Sequence, residues 1–319
     1  MTKAAAIDCG TNSIRLLIAD ADPVTGRLTD LDRRMEIVRL GQGVDRTGRL
    51  APEALERTFD ACRAYAEAIA RHGVTPDRVR FAATSATRDA ENREEFTRGV
   101  RDILGVEPEV ITGDQEAALS FDGATRGLAG RDGMAPPYLV LDIGGGSTEF
   151  VLGDDEVRAA RSVDIGCVRL TERHLVRDGR VTDPPAPEQI AAMTADIDAA
   201  IDLAAERVPL GGAATLVGLA GSVTTVAGIA LGLPAYDSAA IHHTRLTAAR
   251  VREVSDHLLA ATHAERAAIP VMHPGRTDVI GAGALVLARV MERTGAAEVV
   301  VSEHDILDGL AHYAASGAR

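Results

Sequence analysis

A chain of 319 residues with 46% hydrophobic and 25% charged residues is globular and long enough for two domains of about 100–200 residues each. The formal net charge of −13, with 3% aromatic residues and no Trp, argues against nucleic acid as a partner, whether gripped by its backbone or stacked by its bases. Lys3 is the only lysine, so a P-loop is excluded and arginine must supply any forked contact to phosphate.

From the N-terminus, AAAIDCG predicts a strand, TNS a turn and IRLLIAD a returning strand, with MEIVRL as a third strand. Pro52 opens a helix over 52–72, in which Leu55, Phe59, Cys62, Ala66 and Ile69 recur at helical spacing. VRFAATS reads as a buried strand, and a helix runs from Asp89 through Leu104. VEPEVI is the next strand, and Asp114 opens a helix to about Leu128. A loop with Gly130, Gly133 and Pro136-Pro137 closes this half.

The second half repeats the opening, with strand YLVLDI, then GGGST, then strand EFVLGD. After the Pro-rich connector at 182–189 come helices at 189–207, 247–262 and 277–293, the strand EVVVS and a closing helix near 304–315. Pro209 to Tyr236 carries no charge but is cut by six glycines, so it predicts a buried strand, a glycine turn and a buried helix rather than a membrane span. Alternating strands and helices predict an α/β fold with mostly parallel sheets. Cys9, Cys62 and Cys167 show no metal or disulfide spacing, and MTKAAAIDCG lacks a signal-peptide pattern, so the expected location is cytoplasmic. Adjacent His242 and His243 would point to opposite faces if they lay on a strand, and read as structural or surface residues.

DCGTNSIRLLIAD (8–20) and DIGGGSTEFVLGD (142–154) align at a constant offset of 134 residues. Asp8 matches Asp142, Gly10 matches Gly144, Ser13 matches Ser147 and Asp20 matches Asp154. Each turn alone reads as an ordinary hairpin. As a matched pair they predict two phosphate cradles, Gly10, Thr11, Asn12 and Ser13 in one and Gly144, Gly145, Gly146, Ser147 and Thr148 in the other. Asp8 and Asp142 would repel phosphate unless a divalent cation, Mg2+ in the first instance, lay between them.

The segments AAAIDCGTNSIRLLIAD, AATSATRDAENREEF, VITGDQEAALSFDGA, VLDIGGGSTEFVLG, DIGCVRLTERHL, GLAGSVTTVAG, PGRTDVIGAGALVL and VSEHDILDGL resemble the exopolyphosphatase and guanosine pentaphosphate phosphohydrolase family, in the superfamily of actin, sugar kinases and the Hsp70 ATPase domain. The resemblance covers almost the whole chain in the family's order. It implies two ribonuclease-H-like (actin-like ATPase) domains facing across a cleft, at 1–125 and 126–319, with the last helix able to pack back on the first domain. It assigns Glu116 as the acid that prepares the attacking water, Arg15 and Arg88 as phosphate contacts and Glu149 as a third metal-side acid, with Asn92, Arg93, Arg169 and Arg276 as weaker candidates. Gln115 stands where many relatives carry a second acid, and Gly218, Gly221 and Ser222 resemble a third glycine loop that approaches the nucleoside in nucleotide-binding members. The chain ends before the C-terminal helical domain of longer relatives. The implied activity is release of orthophosphate from inorganic polyphosphate. Alternatives are hydrolysis of guanosine pentaphosphate, a polyphosphate- or nucleotide-binding regulator with low turnover, or a kinase of the superfamily. A homodimer is expected.

Overall fold

The computed structural model describes residues 2–22, 27–128, 130–177 and 180–316. Along the chain run β1 (Thr2–Cys9), β2 (Ser13–Ala21), β3 (Leu28–Ile37), α1 (Pro52–Arg71), β4 (Val79–Ala83), α2 (Ser85–Asp89), α3 (Arg93–Leu104), β5 (Glu109–Val110) and α4 (Gly113–Thr125). Then come β6 (Tyr138–Ile143), β7 (Thr148–Gly153), β8 (Val157–Val163), α5 (Cys167–Leu175), α6 (Pro187–Ala205), β9 (Thr215–Leu219) and α7 (Ala220–Ala230). The chain closes with β10 (Arg245–Thr247), α8 (Ala248–Ala260), α9 (Ile280–Thr294), β11 (Glu298–Val301) and α10 (Ile306–Ser316). Two compact units result, Met1–Gly123 with Asp305–Arg319, and Ala124–His304.

The first unit holds a sheet in the order β3-β2-β1-β4-β5, and the second a sheet in the order β10-β11-β9-β6-β7-β8. In each, three antiparallel strands lie at one side and parallel pairs joined through helices follow, and in the second sheet the far edge strand β10 pairs antiparallel with β11. The expectation of mostly parallel sheets is therefore corrected. Both glycine turns are short enough to force the following strand back antiparallel, whereas parallel neighbours require a helical crossover.

In the first unit α1 buries Leu55, Cys62, Tyr65 and Ile69 against Ile7, Ile14, Leu16 and Phe81 of the sheet. The opposite sheet face is built from small residues, Ala6, Ala19 and Ala82 beside Leu17, and α10 lays Ile306, Leu307, Leu310 and Ala311 on it. Burying each large aliphatic side chain contributes about 1.5–3 kcal/mol, enough to make the C-terminal helix part of this core. In the second unit Leu141, Phe150, Ile197, Val223, Val286 and Val299 lie in one continuous core.

Several boundaries move. The third strand is Leu28–Ile37, earlier than MEIVRL, because its pairing runs back along all of β2. The helix predicted from Asp89 begins only at Arg93, as α3, and the separate short helix α2 ends at Asp89. Strand β8 and helix α5 went unpredicted; β8 starts on two exposed residues, buries only Ala160 and Val163, and carries no long apolar run. Within Pro209–Tyr236, β9 passes directly into α7 at Ala220, which takes φ of 66°, so no separate glycine turn intervenes. No helix among the described residues is long and apolar enough to cross a membrane. His242 and His243 are not on a strand: His243 takes φ of 65°, and the two rings stack at 3.6 Å with His304 at 4.5 Å from His242.

Candidate active site

The β1–β2 turn closes on a Gly10 N–H bond to the Ser13 carbonyl at 2.9 Å. Its carbonyls are drawn into the protein. Val38 and Arg39 N–H groups donate to Asn12 O at 3.1 and 2.9 Å, and Gly41 N–H donates to Thr11 O at 2.9 Å. Thr11 Oγ1 and Ser85 Oγ lie 2.8 Å apart behind it. Among the described residues no acceptor takes the N–H of Thr11 or Asn12.

The β6–β7 turn is built the same way, with Gly144 N–H on Ser147 O at 3.0 Å. Here the first turn of α5 does the bracing. Cys167 N–H donates to Gly144 O at 3.0 Å, Val168 and Arg169 N–H donate to Gly145 O at 2.9 and 3.1 Å, and Arg169 Nε donates to Gly146 O at 2.8 Å. A side chain at Gly166 would collide with the Gly145 carbonyl, so only glycine allows this approach. Again no acceptor among the described residues takes the N–H of Gly145 or Gly146. Turns whose carbonyls point inward and whose N–H groups are left over are suited to hold anions. The sequence pattern of two matched turns is thus realised in backbone geometry.

The two cradles differ in charge. Asp8 is opposite Arg15 in the β1–β2 register, and Asp142 is opposite Glu149 in the β6–β7 register. Arg15 Nε and Nη2 both donate to Asp8 Oδ2, at 3.0 and 2.6 Å, while Nη1 pairs with Asp305 Oδ2. Burial pushes the Asp8 carboxyl above its ordinary range, Arg15 pulling part of the way back and Asp305 adding to the rise. Burial likewise opposes ionisation of Asp305, but the Arg15 guanidinium, the Leu307 N–H and Arg33 outweigh it and hold this carboxyl below its ordinary range. Arg15, sequence-predicted as a phosphate contact, thus spends its guanidinium on two carboxylates.

Asp142 and Glu149 are both buried, at 7% and 1% exposure, and Ser162 Oγ donates to Glu149 Oε1 at 2.7 Å. Like charges directly opposite on a sheet are destabilising, so two oxygen-donor acids at this register suit a hard divalent cation. Among the described residues no group of three or more His, Cys, Asp or Glu could hold a metal. A magnesium ion needs only one or two carboxylates beside substrate phosphates.

Glu116 lies in the first turn of α4. That helix starts earlier than Asp114: Thr112 Oγ1 accepts the Gln115 N–H at 3.2 Å and Gln115 Oε1 accepts the Thr112 N–H at 2.9 Å, a reciprocal cap. Gln115 is exposed and serves the helix end. Glu116 is buried, with Arg88 Nη1 at 3.2 Å from its Oε2 and 2.9 Å from the Ile111 carbonyl. Arg88 thereby fixes the candidate acid and stays one-quarter exposed.

Of the weaker candidates, Asn92 clamps Leu50 through both its amide atoms, at 2.9 and 3.1 Å, and Arg93 is an exposed residue opening α3. Arg169 braces the second cradle. Arg276 Nη1 donates to Gly221 O at 3.1 Å and lies near Thr225 Oγ1 at 3.3 Å, so a guanidinium rests on the first turn of α7; the expected third glycine loop is instead the end of β9 and the start of this helix. Asp305 and Ser162 were not foreseen. Asp305 is 290 residues from Arg15, and no local pattern joins them. All three cysteines are buried, and burial raises each thiol, Cys62 to about 12, which removes them as nucleophiles at neutral pH.

A model of the Ppx/GppA phosphatase family matches residues 17–312. The chain belongs to that family. It is 51% identical over 322 residues to exopolyphosphatase 2 of Mycobacterium tuberculosis, covering 98% of each chain. A crystal structure of an exopolyphosphatase-like protein is 46% identical, with a TM-score of 0.89 over 96% of this chain and 97% of that one. The Ppx/GppA enzyme of Aquifex aeolicus is 30% identical, with a TM-score of 0.79 over 98% and 99%. The Ppx/GppA fold seen here is accordingly the two-domain fold of the actin-like ATPases.

Proposed function

We propose that this Ppx/GppA protein is an exopolyphosphatase that hydrolyses the terminal phosphoanhydride of inorganic polyphosphate. The observations that carry the reading are a turn in each unit with inward carbonyls and N–H groups that no described acceptor takes, and, in the first unit, a buried acid fixed by an arginine. The N–H groups of Thr11, Asn12, Gly145 and Gly146 would hold phosphate oxygens, with Ser13 and Ser147 hydroxyls as further donors. Glu116 would orient a water toward the terminal phosphorus and accept its proton. The water oxygen forms the new P–O bond, the bridging P–O bond breaks, and the electron pair leaves on the shortened chain. Such a transition state is loose, so positioning and charge neutralisation carry most of the acceleration.

In the second unit Asp142 and Glu149 would hold magnesium, which when bound neutralises phosphate charge, and in the first unit Asp8 would be a further cation ligand. This reading assigns the water-directing acid to one unit and the opposed pair of cation-holding acids to the other. A cytoplasmic location fits three buried cysteines without a disulfide, and the expected state is a homodimer.

Phosphate release with magnesium, measured on short polyphosphate, long polyphosphate, guanosine pentaphosphate and ATP, tests the substrate class. The expected order places polyphosphate first. Preference for guanosine pentaphosphate would transfer the same chemistry to the nucleotide, and no release from any of the four would overturn the reading.

A further inference from the structure

The Arg15 guanidinium is an unusual fork. An arginine facing one carboxylate favours a bidentate arrangement in which two nitrogens meet two oxygens. Here Nε and Nη2 both meet Asp8 Oδ2, and neither hydrogen bond from Arg15 to Asp8 reaches Oδ1. The third nitrogen, Nη1, is held by Asp305.

Asp305 is itself held from several sides. Its Oδ1 accepts the Leu307 N–H at 3.0 Å, and its own N–H donates to Asp308 Oδ2 at 3.0 Å, so it fixes the start of α10. Asp308 Oδ1 in turn receives Arg33 Nη2 of β3 at 2.6 Å. A side chain on Gly123 would collide with the Asp305 carbonyl oxygen, and one on Gly309 would collide with the Leu119 carbonyl. Helices α4 and α10 therefore meet backbone to backbone at the residue whose carboxylate holds Arg15. With 3% exposure, Asp305 cannot swing away to solvent. The helix α10 is also anchored by its apolar face, which packs on the sheet, so the ion pair to Arg15 is not its sole attachment.

We propose that Asp305 is a positioning residue for phosphate-chain hydrolysis: by tethering Arg15 it confines the guanidinium to one oxygen of Asp8 and keeps Oδ1 available to the cation-bearing chain. Without Asp305, Arg15 turns to fork both Asp8 oxygens and covers Oδ1. The inference deepens the functional reading above and rests on Asp8 acting beside the phosphate cradle. It gives the C-terminal helix a task in the chemistry through an ion pair, not through contact with substrate.

The test is Asp305→Asn, which keeps an acceptor for the Leu307 N–H and removes the ion pair. Short polyphosphate kinetics, thermal unfolding and Mn2+ binding without substrate, read by electron paramagnetic resonance, are measured together. The expected result is kcat lower by about ten-fold with KM within about two-fold, the pattern of lost transition-state positioning. Mn2+ should bind several-fold more weakly. Because Asp305 acts through Arg15, adding Asp305→Asn to Arg15→Lys, which keeps the charge and loses the fork, should cause no further loss. Asp305→Ser, another acceptor for the Leu307 N–H, is held to the same outcomes should the Asn variant fold poorly. Wild-type kcat and Mn2+ affinity in these variants, or an equal loss with and without the Arg15 fork, would overturn the proposal. If the wild-type protein releases no phosphate from polyphosphate, the functional reading fails alone, since the Mn2+ measurement still reports whether Asp305 governs Asp8 through Arg15.

Discussion

The β1–β2 and β6–β7 turns share a backbone and differ in their charges. Both close through a glycine N–H on a serine carbonyl, and both have their other carbonyls capped from behind. Seven residues past the strand aspartate, however, the first has Arg15 and the second Glu149. A guanidinium converts Asp8 into half of a buried ion pair, while a second carboxylate makes Asp142 part of a site that suits a cation. A duplicated turn can thus keep its backbone and still differ in charge, one copy pairing its aspartate with a guanidinium and the other placing a second carboxylate opposite it.

The sharpest way to break this contrast is Arg15→Met, which leaves Asp8 and Asp305 buried together without their shared cation. Removing one partner of a buried ion pair costs about 3–5 kcal/mol, and partial exposure of Arg15 points to the lower end, readable as a fall in the urea midpoint. An unchanged midpoint would mean the triad is not a stabilising unit.

Next comes Glu149→Gln, which keeps shape and removes one of the opposed charges. Magnesium half-saturation of phosphate release should rise by about ten-fold or more, since hard-cation affinity follows ligand charge, while the unfolding midpoint holds or improves. A stability loss with unchanged magnesium dependence would place Glu149 in the fold and not at the cation. The smallest expected effect is Ser162→Ala, which frees Glu149 Oε1 from its hydroxyl donor. Releasing one neutral hydrogen bond is worth about 0.5–1.5 kcal/mol, so a shift of only a few-fold in magnesium half-saturation is expected.

The sequence disclosed the turns because glycine, serine and aspartate at fixed offsets are local chemistry. It disclosed the helices through apolar spacing, as in α1, and it nominated Glu116 through the family motif, the structure adding that this acid is buried and paired with Arg88. It did not disclose strand β8, which has no alternating pattern and no long apolar run, nor the mixed sheets, which follow from hairpin length. Arg15 read as a phosphate contact because nothing near it in the chain shows that Asp305 will take one of its nitrogens. Partners brought together across 290 residues are written in the tertiary fold alone. Gln115 illustrates the reverse case: T-x-x-Q at 112–115 is a helix-capping signature visible in the sequence, and it gives this side chain a role at the helix end.

The most direct test is orthophosphate release from short polyphosphate by wild-type protein and Glu116→Gln, with polyphosphate binding measured in parallel. A buried acid that directs the attacking water should leave a variant that binds the chain normally and turns it over about 10²–10⁴-fold more slowly. Equal turnover in the two proteins would remove Glu116 from the reaction and contradict the mechanism drawn from this structure.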